Sequence, residues 1–204
     1  MNSVSCSDQL FTPSKIICVG RNYVDHIHEL NNEVPDNMVL FLKPNSAISP
    51  ELSAFDQEPL HYEAELCFLV QNNRFFAVAI GLDLTKRTLQ SQLKNKGLPW
   101  ERAKAFDGSA LFSDFVELAD DDLEQLSFEL TINDIKVQAG NIELMIYKPR
   151  EIQEEILSFM SLSDGDIVMT GTPKGVGQVN PGDVFTGKVS ANGHPLLSKT
   201  WLAR

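Results

Sequence analysis

The sequence has no Cys-x-x-Cys pair, no run of lysines or arginines, no low-complexity linker and no long apolar segment. Its longest apolar stretch, FFAVAIGL at 75–82, falls far short of the ~20 residues a membrane-spanning helix needs, so no membrane partner is expected. The N-terminal stretch MNSVSCSDQLFTPSK has no basic start followed by an apolar block, and no signal peptide is expected there. Cys6, Cys18 and Cys67 are odd in number and widely spaced, which argues against a disulfide framework and for a reducing, cytoplasmic setting. Seventeen basic residues against 28 acidic ones give a net charge of -11. A polyanion would be repelled by such a chain, so no nucleic acid partner is expected.

The chain does have an ordinary globular balance, 43% hydrophobic and 22% charged over 204 residues. That predicts one domain over 1–204, with 1–14 as an N-terminal extension. Strand-like stretches are KIICVG (15–20), MVLFLKP (38–44), YEAELCFLV (62–70), RFFAVAIGLDL (74–84), LSFELTIN (126–133), DIVMTGT (166–172) and GDVFTGKVS (182–190). Asn192-Gly193 and Asn133-Asp134 supply the positive φ angles of tight hairpin turns. One helix is expected from about Thr85 to Lys96, stopped by Gly97 and Pro99. A second starts at Pro149 and carries Ile152, Ile156, Leu157 and Met160 on one face. The acidic run ELADDDLEQ (117–125) reads as a solvated loop. Many short strands with few helices give a β-rich α+β class.

The segment HYEAELCFLV (61–70) carries the first chemical signal. In an extended chain residues i and i+2 share a face, so Glu63 and Glu65 point the same way. Two carboxylates about 4 Å apart repel by roughly 4 kcal/mol at an effective dielectric near 20. Exposure to water, a shared proton or a bound cation could each relieve that. A third acid, Asp83, ends the apolar strand that follows. Three carboxylates without a cysteine cluster match a hard cation, Mg²⁺ or Mn²⁺, better than zinc. An N-cap role for Asp83 ahead of LTKRTLQ is the alternative.

Six blocks then follow one another in order: ICVGRNYVDHIHEL, VLFLKP, HYEAEL, GLDLTKRTLQ, KGLPWERAKAFDGSA and GDIVMTGTPKGVG, spanning about Lys15 to Gly182. Together they resemble the fumarylacetoacetate hydrolase family, in its short acylpyruvase and oxaloacetate decarboxylase branch. The resemblance implies a mixed β-sheet roll with few short helices, a homodimer, and Mg²⁺ (or Mn²⁺) held by Glu63, Glu65 and Asp83. It implies catalytic work for His26, Glu29 and Lys104, and substrate contacts at Gln90 and at the TGTP turn around Gly171 and Thr172. Arg21, Lys43 and Arg87 lie inside matching blocks and are expected to support substrate binding.

These implied roles are chemically coherent. Three residues apart on one helical turn, His26 and Glu29 share a side, and a carboxylate on one imidazole nitrogen leaves the other to deprotonate water. Lys104 beside an anionic substrate would stabilise a developing enolate. The leading expectation is C–C cleavage of an acylpyruvate-type dicarbonyl acid, with decarboxylation of oxaloacetate through the same enolate. Tautomerase or isomerase chemistry on 2-oxo acids, and a non-catalytic metal- or ligand-binding protein, are the alternatives. Two features depart from the family pattern. Only 17 residues, 66–82, separate Glu65 from Asp83 where a longer insert with a helix is usual, and Tyr62 replaces a common second histidine.

Overall fold

The computed structural model describes residues 1–30, 33–119 and 122–204. The largest sheet is mixed and has seven strands. Its order runs Ala110–Phe112, Arg74–Asp83, Ala64–Gln71, Ile167–Met169, Lys15–Gly20, Val39–Pro44, and Val116–Glu117 also pairs with Arg74–Asp83. Its one parallel pair joins Ile167–Met169 to Lys15–Gly20. A second, antiparallel sheet stacks Ile135–Asn141, Leu126–Ile132, Val184–Ala191 and His194–Leu202. A third is built on Glu58–Tyr62, which pairs with Phe55–Asp56, Thr85–Lys86 and Gly177–Gln178.

Four tight turns set hairpin registers. Ser7-Asp8, Asn72-Asn73, Asn133-Asp134 and Asn192-Gly193 all have positive φ at both central positions, the conformation whose twist matches that of the flanking strands. The Asn72-Asn73 turn joins Ala64–Gln71 directly to Arg74–Asp83, so the short segment between Glu65 and Asp83 is one hairpin.

The Ala64–Gln71 strand is buried on both faces, as its unbroken apolar run requires. Leu66 and Phe68 point into a core shared with Leu130, Phe185 and Val189 of the second sheet. Cys67 and Leu69 point the other way, onto Ile16, Cys18, Met169 and the N-terminal strands. Each fully buried large apolar side chain contributes about 1.5–3 kcal/mol. The helix Pro149–Phe159 covers Ile17, Val19 and Val168 with Ile152 and Ile156. All three cysteines are free and buried, and no helix among the described residues is long and apolar enough to cross a membrane.

Several sequence expectations need correcting. YEAELCFLV is not one strand: it breaks at Glu63, where the chain leaves the third sheet and enters the first. The helix expected from Thr85 begins at Arg87, because Thr85 and Lys86 pair with His61 and Leu60. Leu157 is 41% exposed; one residue past Ile156 it is rotated about 100° off the buried stripe. The 166–172 strand stops at Met169. Within residues 1–14, Val4–Cys6 and Gln9–Phe11 form a hairpin that Phe115 N joins by donating to Ser5 O. Of the acidic run at 117–125, residues 120 and 121 lie outside the described residues.

Candidate metal and active site

Glu63 and Asp83 occupy the points where the two legs of the 64–83 hairpin leave the large sheet. Asp83 N donates to Glu63 O, and Ala64 N is taken by the side chain of Gln138. The carboxylates of Glu63, Glu65 and Asp83 are all buried, and each offers one oxygen within 4.8 Å of the others. Exposure to water is therefore excluded as the relief of their repulsion. Asp83 is also excluded as a helix cap, since the helix starts four residues on and is capped at Lys86.

The three acids are neutralised unequally. Glu63 receives Lys104 Nζ at 2.9 Å on Oε2 and Arg87 Nη2 on Oε1. Burial pushes its pKa up, but Lys104 and Arg87 outweigh that and hold the carboxyl well below its usual range. Asp83 receives Lys104 Nζ at 2.6 Å on Oδ2. Its Oδ1 lies 2.8 Å from Lys43 Nζ, yet accepts no hydrogen bond. The three protons of that ammonium go instead to Lys104 O, Ser109 O and Ser109 Oγ. Among the described residues, Glu65 has a single donor, Gly171 N at 2.7 Å on Oε2. Burial, then Asp83 and Glu63, drive its pKa well above the usual carboxylate range.

This pattern fits a hard divalent cation. An all-oxygen donor set, an orphaned oxygen on Asp83 and a carboxylate on Glu65 that lacks a compensating cation are what an ion would satisfy. Lys104 completes the site on one side. Its ammonium also donates to Thr85 Oγ1 at 2.7 Å. Burial alone would lower its pKa, and Asp83 and Glu63 reverse that into a rise.

His26 and Glu29 sit on the short helix Val24–Glu29. His26 is buried, lines the same cavity as the three acids, and meets Glu29 Oε2 through Nδ1 at 3.1 Å. The other carboxylate oxygen of Glu29 accepts from Gly175 N at 2.9 Å, and Asp25 pairs with Lys174 at 2.8 Å. The dyad is thus clipped to the TGTPKG turn. Hydrogen bonding assigns Nδ1 to Glu29 and leaves Nε2 for other partners. His28 points to solvent.

The TGTP turn is fixed from below. Gly171 has φ +96°, and a Cβ there would come within 2.8 Å of Asn22 Cβ, so glycine is required for its N–H to reach Glu65. Thr172 Oγ1 donates to Ala64 O and accepts from Gln138 Nε2. Arg21, Arg87, Gln90 and Thr172 line the cavity, with Arg87 Nη1 donating to Gln90 Oε1 at 2.8 Å. Lys43 differs from its expectation as a substrate contact: it is fully buried behind Asp83 and does not line the cavity. The sequence reading missed Lys94 and Trp100, which also line the cavity, and Gln138, which bonds the turn at Thr172 and Pro173. Gln138 carried no motif; Lys94 lies just ahead of the block KGLPWERAKAFDGSA and Trp100 within it, where only Lys104 drew attention.

A curled, β-rich α+β scaffold whose central strands bring a buried carboxylate triad and an imidazole to one cavity defines a class of small-molecule enzymes. The chain belongs to the fumarylacetoacetate hydrolase family: the family model described as Fumarylacetoacetate (FAA) hydrolase C-terminal matches residues 15–195. It is 36% identical to the oxaloacetate tautomerase YcgM of Escherichia coli over 91% of this chain and 92% of that one. It is 38% identical to the mitochondrial oxaloacetate tautomerase FAHD1 of Homo sapiens, over 91% and 90%. The crystal structure of fumarylpyruvate hydrolase from Pseudomonas aeruginosa, in complex with Mn²⁺ and pyruvate, superimposes with a TM-score of 0.90 at 29% identity, covering 99% of this chain and 95% of that one.

Proposed function

We propose that this chain is a divalent-metal-dependent enzyme that interconverts the keto and enol forms of a small 2-oxo dicarboxylic acid of the oxaloacetate type. The observation that carries this reading is the under-neutralised carboxylate triad on the same cavity as the Glu29-oriented imidazole of His26. The similarity to two oxaloacetate tautomerases over nine-tenths of the chain supports it.

Glu63, Glu65 and Asp83 would hold Mg²⁺ or Mn²⁺. When bound, such an ion polarises the 2-oxo group and makes the neighbouring C3 proton more acidic. The rest falls to the chain itself. His26, held by Glu29 through Nδ1, takes a proton from C3 at Nε2 while the C–H electron pair becomes the C2–C3 double bond. Charge that develops on the C2 oxygen is stabilised by the ammonium of Lys104. The imidazolium of His26 then gives up that proton, directly or through a water, to the C2 oxygen, which forms the enol and frees the imidazole; the reverse sequence returns the keto form. Arg87 and Gln90 position the Glu63 side of the site, and Thr172 with its turn orients a substrate carboxylate.

A second reading is hydrolytic C–C cleavage of an acylpyruvate, and the same dyad favours it. A water deprotonated by His26 would attack the distal carbonyl, and the C–C bond would break to release a carboxylic acid and the enol of pyruvate. Loss of CO₂ from oxaloacetate would develop the same charge without needing that water. Assembly as a homodimer belongs to this proposal and is read by light scattering.

The test follows the ultraviolet absorbance of enol-oxaloacetate after dissolution, with and without Mn²⁺, beside a hydrolysis assay on acetylpyruvate and fumarylpyruvate. Metal-dependent acceleration of enol decay is the expected result. Should the metal-loaded protein leave enol decay at its uncatalysed rate and turn over none of these acids, the enzyme reading fails and a binding protein is left.

A further inference from the structure

Lys94 is a cation on the cavity wall with no part in the chemistry above. The helix Arg87–Asn95 presents Arg87, Gln90 and Lys94 to the cavity, at i, i+3 and i+7 along one face. Arg87 and Gln90 are occupied with each other and with Glu63. Lys94 is not. Its ammonium lies 4.7 Å from the centroid of the Trp100 ring, and among the described residues no carboxylate stands within ion-pair distance of it.

Trp100 is itself braced. Its ring meets that of Phe41 at 5.8 Å, and a Cβ on Gly20 would come within 3.3 Å of it, so the indole is seated against bare backbone. A cation held on the face of a fixed aromatic ring keeps its charge while losing part of its water. Burial is the main reason its pKa falls to about 8; Glu63 opposes the fall, while Lys104, Arg21 and Arg87 add to it. In a chain of net charge -11, a half-buried lysine facing a cavity without an acidic partner is a place for an anion to bind.

We propose that Lys94, braced by Trp100, receives the distal carboxylate of the substrate and makes the site select dicarboxylic over monocarboxylic 2-oxo acids. The inference rests on the reading of this cavity as a metal-dependent oxo-acid site and adds to it the residue that sets substrate class. Lys94 is a specificity residue, and the proton transfers assigned to His26 do not pass through it.

A matched pair of acids that cannot enolise tests it. Trimethylpyruvate has one carboxylate, and its analogue with one methyl replaced by a carboxylate has two. Calorimetric titration of the Mn²⁺-loaded protein should show the dicarboxylate binding more tightly to the native chain. Lys94→Gln should weaken that binding roughly tenfold, the loss of one charge-assisted contact, and leave trimethylpyruvate unchanged. Lys94→Arg should restore most of the preference, because it returns a cation over the ring. In turnover, Lys94→Gln should raise KM for oxaloacetate with kcat largely kept, and leave KM for acetylpyruvate unchanged. Equal weakening of both acids, or of neither, overturns the Lys94 assignment while leaving the oxo-acid reading in place. If the native protein binds neither acid and turns over no oxo acid, it is that underlying reading that has failed.

Discussion

Two buried carboxylates stand at opposite ends of one three-residue strand and are treated in opposite ways. Asp166 immediately precedes Ile167–Met169, and Glu65 lies beyond its far end, against Gly171. Asp166 is surrounded by donors. Its Oδ1 accepts from Ser14 N, Ser14 Oγ and Lys15 N, and its Oδ2 accepts from Ser163 N and the ammonium of Lys15. Burial works against its charge, yet the contacts from Lys15, Ser14 and Ser163 hold the carboxyl below its usual range. Glu65 has one N–H and two like charges beside it, and its pKa is driven the other way. A buried charge with full hydrogen bonding pins the head of the Lys15–Gly20 strand to the sheet. One left short of partners, at the cavity, is a carboxylate that a cation would stabilise.

The comparison can be broken most severely from its structural side. Asp166→Asn removes the charge but leaves the surrounding donors arranged for it; with Lys15 itself partly exposed, the cost is that of unmatched donors to a lost charge, about 2–3 kcal/mol. Equilibrium urea unfolding should show a loss of that order, while Mn²⁺ affinity of the folded variant stays at the native value. A large fall in Mn²⁺ affinity would mean the two ends of the strand are not independent.

The pH dependence of that difference follows from the sign of the shift. Asp166 is more acidic folded than unfolded, so its stabilisation is fully present above the ordinary aspartate value, about 3.9. It is lost as pH falls through the lower folded value. The stability gap between native protein and Asp166→Asn should therefore be constant near neutrality and close below about pH 4. A gap that widened on acidification would reverse the assignment.

From the functional side, Glu65→Gln is the matching change. It removes one anionic ligand and should weaken Mn²⁺ binding by about 100-fold or more, beyond what loss of an outer-shell partner alone produces. The same change relieves repulsion with Glu63 and Asp83, so the metal-free variant should be as stable as the native protein or more so. Calorimetry with unchanged Mn²⁺ affinity, or a strongly destabilised apo-protein, would place Glu65 with Asp166 as a structural carboxylate.

The contrast also marks what could be read from the chain in advance. Hairpins were legible because Asn-Asp and Asn-Gly force a local backbone conformation that no distant residue needs to supply. Glu63, Glu65 and Asp83 were legible because two like charges in an apolar strand conflict with their surroundings, and such conflict is visible locally. The break at Glu63 was not, since it depends on Gln138 taking Ala64 N from another sheet. Lys43 was misplaced for a similar reason: its burial is set by Ser109 and the Lys104 carbonyl, both more than 60 residues away. Asp166 carried no signal at all. Apart from Ser163 N, its donors lie about 150 residues earlier at Ser14 and Lys15, and the parallel pairing of Ile167–Met169 with Lys15–Gly20 brings them to it.

The smallest expected effect tests whether the many donors on Asp166 are redundant. Ser14→Ala removes the hydroxyl donor at 2.6 Å and leaves Ser14 N and Lys15 N on the same oxygen. A carboxylate oxygen that keeps two other donors is not stranded, so the loss should be that of one ordinary hydrogen bond, about 1 kcal/mol. A shift in the urea midpoint of that size with an unchanged slope would support the contrast. A loss as large as that of Asp166→Asn would mean that the hydroxyl alone carries the site. Asp166 would then resemble Glu65, dependent on a single donor, and the two ends of the strand would differ in charge environment more than in the number of their partners.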